Sequence, residues 1–163
     1  MSDQEFYTFR EYLRTEHEDL SPSAEDYLEM IYRLSKDGGY TRAGDLAQAL
    51  NVQPPSVTSM VKKLAEMGLL KYEKYGVIIL EASGLTKGEA LLHRHDLVEE
   101  FLKFLNIKND LLEETEKIEH TLNDEILISI QDLLDFFQCH QDIREEFIQF
   151  RSKNIQTIKK KLP

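Results

Sequence analysis

The chain has few residues that form covalent cross-links or interrupt helices, and it has no long apolar run. Its 163 residues include one cysteine, four prolines and seven glycines. Because Cys139 has no second cysteine to pair with, an internal disulfide is excluded, and we expect a reducing cytoplasm and a partly buried thiol. No segment approaches the roughly 18–20 apolar residues that cross a bilayer. The acidic N-terminus lacks the apolar stretch of a secretory signal.

The composition indicates a soluble, mainly α-helical protein with one or two small domains. Hydrophobic residues make up 41% of the chain and charged residues 31%. The formal net charge of −10 is unfavourable for DNA binding. However, residues 24–95 contain nine acidic and nine basic side chains, so the negative excess lies outside that segment. A neutral segment with lysines on one surface can still contact phosphates.

Residues 21–88 show the pattern of a winged helix-turn-helix domain. A first helix is predicted after an N-cap at Ser23 and ends near Lys36, before two glycines. A short helix follows, and the adjacent prolines at 54 and 55 open another, because proline is tolerated in the first turn. Two short strands around a tight turn come next and predict a β-hairpin wing.

The helix opened by the two prolines is the candidate recognition helix, and the wing spans residues 69–80. Small polar side chains on this helix allow close approach to the major groove, while nearby cations are suited to phosphates. Each such residue alone is typical of a solvated surface, but their ordered combination favours DNA binding. The predicted DNA-contacting residues are Arg42, Gln53, Pro55, Ser56, Thr58, Ser59, Lys62, Lys63, Lys74 and Tyr75.

Residues 89–163 predict an all-helical domain without strands. A long helix is expected over residues 86–104, and shorter ones over residues 109–120, 124–137 and 140–160. These segments hold more apolar surface than one thin layer can bury, which favours a dimerisation face over packing within one subunit. Residues 1–20 are a separate N-terminal extension, predicted as a short amphipathic helix that docks on the body, with a mobile arm as the alternative.

Two sets of acidic and histidine side chains occur at helical spacing. Asp26 and Glu29 are three residues apart near the start, and Glu116, Glu119 and His120 form a second cluster much later. Each set presents its ligand atoms on one helical face. Either set alone is more typical of a solvated face or a helix cap. Their position on either side of a DNA-binding unit favours a metal-controlled switch.

The chain resembles the manganese transport regulator branch of the diphtheria-toxin-repressor family of metal-dependent repressors. The resemblance covers about residues 21–137. Its motifs are Ser23-Ala24-Glu25-Asp26-Tyr27-Leu28-Glu29, Pro55-Ser56-Val57-Thr58, Tyr72-Glu73-Lys74-Tyr75, Arg94-His95 and Ile118-Glu119-His120. It implies a binuclear metal site in each subunit, and all six of its ligand positions are filled here. The implied ligands are Asp26, Glu29, His95, Glu116, Glu119 and His120.

The resemblance also implies which metal is sensed. Iron-sensing relatives have methionine at the position of Asp26 and cysteine at that of Glu116. Hard carboxylates at both positions favour Mn²⁺, with Fe²⁺ as a possible activator. The implied function is a cytoplasmic Mn(II)-responsive repressor of manganese uptake genes that binds operator DNA as a metal-activated homodimer.

Two alternatives remain open from the residues. The first is a winged-helix regulator that senses a different metal, or an organic ligand in its helical domain. The second is a di-metal carboxylate enzyme, which is disfavoured because the ligands do not form the repeated Glu-x-x-His pairs of a four-helix bundle. No enzymatic activity is therefore predicted.

Overall fold

The computed structural model describes residues 20–158, with side chains described up to residue 154. The helix predicted within residues 1–20 falls almost entirely outside this range. The protein is mainly α-helical, as predicted. The helices are α1 Pro22–Ser35, α2 Ala43–Ala49, α3 Pro54–Glu66, α4 Ala82–Phe104, α5 Leu111–Glu119, α6 Asp124–Cys139 and α7 Gln141–Ile158. The strands are β1 Thr41–Arg42, β2 Leu70–Tyr72 and β3 Val77–Leu80.

Helix α1 starts earlier in the sequence than expected. Ser21 is the N-cap, and its hydroxyl accepts a hydrogen bond from the Ala24 amide at 3.4 Å. The predicted cap at Ser23 is therefore wrong. Pro22 is the reason, because its fixed φ and missing N–H favour the first helical position, which moves the cap to the preceding residue. The predicted end near Lys36 is confirmed, since Lys36 is the C-cap.

Helices α1, α2 and α3 and a small sheet form the winged helix-turn-helix. Val57, Val61 and Leu64 of α3 are fully buried against this core, as their spacing predicts. The sheet is antiparallel with strand order β1-β3-β2. The hairpin was predicted, but β1 was not, because a two-residue strand gives no alternating pattern. Tyr75 and Gly76 make the turn with φ of 62° and 74°.

Helix α4 connects the winged domain to the remaining helices and packs closely on α1. A Cβ at Gly88 would lie 2.7 Å from Cβ of Tyr32 on α1, so this approach requires glycine. The helix is continuous across residues 88 and 89, where the domain boundary is predicted. One continuous helix therefore carries the DNA-binding unit at one end and the helical unit at the other.

The second core lies between α4 and α6, around Val98, Leu127 and Leu134. Several large apolar side chains remain outside it: Leu133 is 41% exposed, Phe136 46% and Phe150 62%. The described helices include none that is long and apolar enough to cross a membrane. Cys139 is exposed, so the expectation of a partly buried thiol is wrong. It is the last residue of α6, where little of the chain packs over it.

Candidate metal centre and DNA interface

The six predicted ligands come from three helices that meet beside the winged domain. Asp26 and Glu29 lie on α1, one turn apart, and His95 lies in the middle of α4. Glu116 and Glu119 lie on α5, and His120 is the C-cap of that helix. The close packing of α1 on α4 and of α5 on α4 brings these side chains together. Asp26 and Glu29 are three residues apart, as are Glu116 and Glu119, and residues at this spacing lie on the same face of a helix.

The first group of possible ligands joins α1 to α5. Asp26, Glu116, Glu119 and His120 each offer one atom within 4.8 Å of the others. Nε2 of His120 lies 2.8 Å from Oδ1 of Asp26 and 3.7 Å from Oε1 of Glu119. Three carboxylates and one imidazole are a donor set that binds hard divalent cations.

The second group shares a residue with the first. Glu29, His95 and Glu119 place one ligand atom each within 4.8 Å of one another. Nδ1 of His95 lies 3.1 Å from Oε2 of Glu119 and 3.7 Å from Oε1 of Glu116. Because the two oxygens of Glu119 face different groups, this carboxylate can bridge two cations.

Several ligand atoms are buried and are compensated only by other members of the centre, which lie at ion-pair distance without good hydrogen-bond geometry. These are Oδ1 of Asp26, Nδ1 of His95 and Oε2 of Glu119. Glu119 is 1% exposed and His95 4% exposed, so solvent access to them is small. A buried charge without a hydrogen bond is costly unless a metal or another charge compensates it. Two neighbouring ligand atoms, each about 2.1 Å from one octahedral cation, lie about 3 Å from each other. The shortest separations between nitrogen and oxygen atoms in both groups are close to this value. The residues therefore fit a pair of divalent ions.

The acids of the centre bind protons more tightly than free carboxylates. Burial raises the pKa of Asp26 and of Glu29, and the Arg33 guanidinium only partly offsets this for Glu29. Burial and the neighbouring Glu119 raise the pKa of Glu116. Contact with the Glu119 carboxylate raises the pKa of His95. For the three acids the largest cause is burial, which disfavours the charged carboxylate, whereas for His95 it is the attraction of the adjacent Glu119 carboxylate.

Three residues around the centre were not predicted to have roles there. Glu25 accepts hydrogen bonds from Arg94 and contacts Nδ1 of His120 at 2.8 Å. Arg33 donates from Nε to Oε1 of Glu29 at 2.8 Å. The local spacing of Arg33 and Glu29 signals their pairing, since i,i+4 charges interact. The pairing of Glu25 with His120 joins distant parts of the chain, and no local pattern signals it.

The candidate recognition helix α3 presents the predicted polar surface. Gln53 is its N-cap, and Pro54 and Pro55 follow in the first turn. Thr58 is only partly exposed, and its hydroxyl donates to the Pro54 carbonyl at 3.1 Å, so its hydrogen is used within the helix. The remaining predicted residues of this helix are exposed: Pro55, Ser56, Ser59, Lys62 and Lys63, along with Gln53 before it.

The wing and β1 supply the other predicted DNA-contacting residues. Tyr75 at the tip of the wing is 91% exposed, and Lys74 beside it is exposed. Arg42 is exposed on β1 and donates from Nη1 to the Tyr75 carbonyl at 3.4 Å. Arg42 therefore contacts the wing turn, and its guanidinium also lies 6.0 Å from the centre of the Tyr40 ring.

A winged helix-turn-helix joined to a helical unit, with a carboxylate-rich centre at the junction, defines a metal-dependent DNA-binding regulator. The chain matches the iron dependent repressor family in both halves. Residues 19–78 match its N-terminal DNA binding domain, and residues 81–147 match its metal binding and dimerisation domain. The chain belongs to this family.

The match to two curated relatives covers nearly the whole length of each relative. HTH-type transcriptional regulator MntR of Shouchella clausii (strain KSM-K16) is 38% identical over 135 residues, covering 82% of this chain and 94% of the relative. The protein of the same name from Bacillus pumilus (strain SAFR-032) is 40% identical over 138 residues, covering 84% and 96%.

Solved structures show the same fold. The manganese regulator SloR superposes with a TM-score of 0.62 at 33% identity, covering 72% of this chain and 55% of that chain. A manganese-dependent transcriptional repressor in complex with manganese gives 0.59 at 29% identity, covering 69% and 53%. The chain thus spans about half the length of these two proteins.

Proposed function

We propose that the protein is a Mn(II)-responsive transcriptional repressor of manganese uptake genes. In this proposal it acts in the cytoplasm, binds operator DNA as a metal-activated homodimer and catalyses no reaction. The observation that carries the metal assignment is the donor set. Six oxygen and nitrogen ligands form two groups around Glu119, and no sulfur ligand is among them. Such a set is suited to Mn²⁺, although Zn²⁺ and Cu²⁺ bind most sites more tightly. The names of the curated relatives and solved structures support the same metal.

Charge repulsion between carboxylates explains how the centre acts as a switch. Without cations, Asp26 and Glu29 on α1 face Glu116 and Glu119 on α5, and these like charges disfavour close approach of the helices. Bound Mn²⁺ supplies the positive charge that offsets them. His95 and His120 add neutral nitrogen ligands on α4 and at the end of α5. The six residues together hold α1, and with it the DNA-binding unit, against the helical domain.

Holding α1 in place controls DNA binding through dimer geometry. A dimer engages two half-sites only when its recognition helices are separated by about 34 Å or a multiple of it. The apolar side chains left exposed on α6, including Leu133 and Phe136, support a dimer interface in the matched dimerisation domain, and Phe150 on α7, just beyond the matched residues, is also exposed. The six ligand residues would then favour the DNA-binding arrangement, provided that they hold the cations more tightly in that arrangement than in others.

The proposed DNA contacts divide by chemistry. Gln53, Ser56 and Ser59 at the exposed start of α3 are placed to contact base edges, with Thr58 and Pro55 packing beside them. Cations around this surface contact phosphates and set the position of the helix without specifying sequence. The proposed phosphate contacts are Arg42, Lys62, Lys63 and Lys74, with Tyr75 at the wing tip.

Fluorescence anisotropy of labelled manganese-transporter promoter DNA tests this function. Metal-stripped protein is titrated into the DNA with chelator, with Mn²⁺, with Fe²⁺ or with Zn²⁺. We expect tight binding with Mn²⁺ and weak binding with chelator. Activation by Fe²⁺ alone would favour an iron-responsive regulator instead. Equal binding in every condition would retain the DNA-binding domain but contradict the metal switch.

A further inference from the structure

Glu25 forms a contact network on the outer side of the metal centre. Its Oε2 lies 2.8 Å from Nδ1 of His120 and 2.5 Å from Nη2 of Arg94, and its Oε1 lies 3.4 Å from Nη1 of Arg94. All three side chains are largely shielded, with exposures of 21% for Glu25, 16% for Arg94 and 14% for His120. The network links α1, α4 and the end of α5.

The groups around the imidazole of His120 indicate which of its two nitrogens carries the proton. The nearest atom to Nδ1 is a carboxylate oxygen, which can only accept a hydrogen bond. Nη2 of Arg94 also lies 3.2 Å from Nδ1, but its shorter contact is with the same carboxylate. Nδ1 therefore donates to Glu25, and Nε2 of the neutral ring is left with a lone pair.

The opposite side of the ring is consistent with this assignment. Nε2 of His120 lies 2.8 Å from Oδ1 of Asp26, at ion-pair distance, but this contact lacks the hydrogen-bond geometry that the contact between Nδ1 and Glu25 has. With the Nδ1 proton directed to Glu25, Nε2 of His120 and Oδ1 of Asp26 would both be available to bind one cation. Ligating histidines commonly donate their other N–H to a carboxylate, which fixes the tautomer and ring orientation.

We propose that Glu25 and Arg94 are positioning residues that fix His120, so that its Nε2 faces the metal centre. Glu25 accepts the Nδ1 proton, and Arg94 holds the Glu25 carboxylate from α4. Because Glu25 is adjacent to the ligand Asp26 on α1, the same network ties the DNA-binding unit to the helical domain. This inference rests on the proposed metal centre, and its failure is distinguishable from failure of the centre itself.

The test combines NMR with metal titration of the full chain. Two-bond proton–nitrogen correlation spectra of ¹⁵N-labelled, metal-free protein report the tautomer of each histidine, and a His120→Gln spectrum assigns the signal. Electron paramagnetic resonance of unbound Mn²⁺ gives the affinity. The variants are Glu25→Ala, Glu25→Gln and Arg94→Lys. Glu113→Gln is the matched control, because Glu113 is exposed on α5 and pairs only with Lys117 among the described residues.

We expect neutral His120 to carry its proton on Nδ1 in the unmodified protein and in the control. Glu25→Ala should lose this preference and weaken Mn²⁺ binding about 10- to 100-fold. Glu25→Gln retains an acceptor oxygen and should recover part of the loss. Arg94→Lys removes the two-point contact, so its affinity should fall between those of Glu25→Ala and the unmodified protein.

Two results for Glu25→Ala would overturn the positioning role and leave the metal centre intact. One is an unchanged His120 tautomer, and the other is a Mn²⁺ affinity within about twofold of that of the unmodified protein. Circular dichroism identifies an unfolded variant, and Glu25→Gln and Arg94→Lys then decide the question by the same two readouts. Absence of Mn²⁺ binding by the unmodified protein overturns both the centre and this inference.

Discussion

Nδ1 of His95 lies 3.1 Å from Oε2 of Glu119, and the two buried side chains form an ion pair when the histidine is protonated. One side chain comes from the middle of α4 and the other from the last turn of α5. The other oxygen of Glu119 faces His120, 3.7 Å away. Glu119 is therefore the shared member of both ligand groups, and several consequences follow from that position.

Glu119→Ala should abolish metal-dependent operator binding while the dimer remains folded. The substitution removes the only carboxylate common to both groups of the described ligands, so neither group retains its full donor set. Fluorescence anisotropy with excess Mn²⁺ measures DNA binding, and sedimentation reports the dimer. Glu113→Ala, at an exposed position of the same helix, is the control and should bind DNA normally. Unchanged metal-dependent binding by Glu119→Ala would exclude the proposed centre.

Ligand substitutions should change the number of bound ions in a set pattern. His95→Gln affects only the group with Glu29 and Glu119, and Asp26→Asn affects only the group with Glu116, Glu119 and His120. Each should lower the stoichiometry from two Mn²⁺ to one per subunit. Equilibrium dialysis with elemental analysis counts the ions. Loss of both ions in His95→Gln would mean that the groups do not bind independently.

Metal affinity should increase with pH. Burial raises the pKa of Asp26, Glu29 and Glu116, and contact with Glu119 raises that of His95, so protons compete with metal for these groups. Raised folded-state pKa values also mean that the metal-free fold loses stability as pH rises from the ordinary values through the raised ones. Calorimetry in buffers of different ionisation enthalpy should show proton release on binding, more at about pH 6 than at about pH 8. Binding without proton release would contradict this.

Lys62→Ala should weaken DNA binding equally for operator and unrelated sequences. Lys62 is exposed on α3, further along the helix than the residues proposed to contact base edges, so we expect it to contact phosphate. Losing one phosphate contact should reduce the slope of log affinity against log salt by about 0.9. Gln53→Ala should instead reduce discrimination between sequences and keep the slope. Lys117→Ala, on the distant helix α5, is the control.

Gly84→Ala should destabilise the protein because α4 passes very close to the wing. An added Cβ would lie 1.9 Å from the Leu69 carbonyl oxygen, so backbone must move. We expect a loss of about 1–3 kcal/mol or more in the free energy of unfolding. Gly44→Ala, in α2 with no atom within 4 Å of the new Cβ, should be neutral or stabilising by up to about 1 kcal/mol. Urea unfolding of metal-free protein measures both. Equal effects would contradict the close packing.

Features with local sequence signals were predictable. The proline pair places the start of α3, and helical spacing places Val57, Val61 and Leu64 in the core. The convergence of Asp26 with His120 was expected through the family resemblance, because helical spacing alone shows only that each set shares a face. The role of each predicted metal or DNA residue stays a prediction.

Features that depend on distant contacts were missed. Glu25 lies 95 residues from His120, and its own neighbours in sequence indicate only an acidic helix start. Strand β1 exists because Thr41 and Arg42 pair with β3, which comes much later in the chain. The exposure of Cys139 depends on how α7 leaves α6. Each of these is set by tertiary packing, which periodicity within one segment does not report.

Anomalous diffraction at the manganese absorption edge, from crystals grown with Mn²⁺, tests the central claim most directly. Two peaks in each subunit are expected, each about 2.1 Å from an oxygen of Glu119. One peak should also contact His120 and Asp26, and the other His95 and Glu29. Peaks remote from Glu119, or no peak despite excess Mn²⁺, would contradict a binuclear manganese centre at the junction of the two domains.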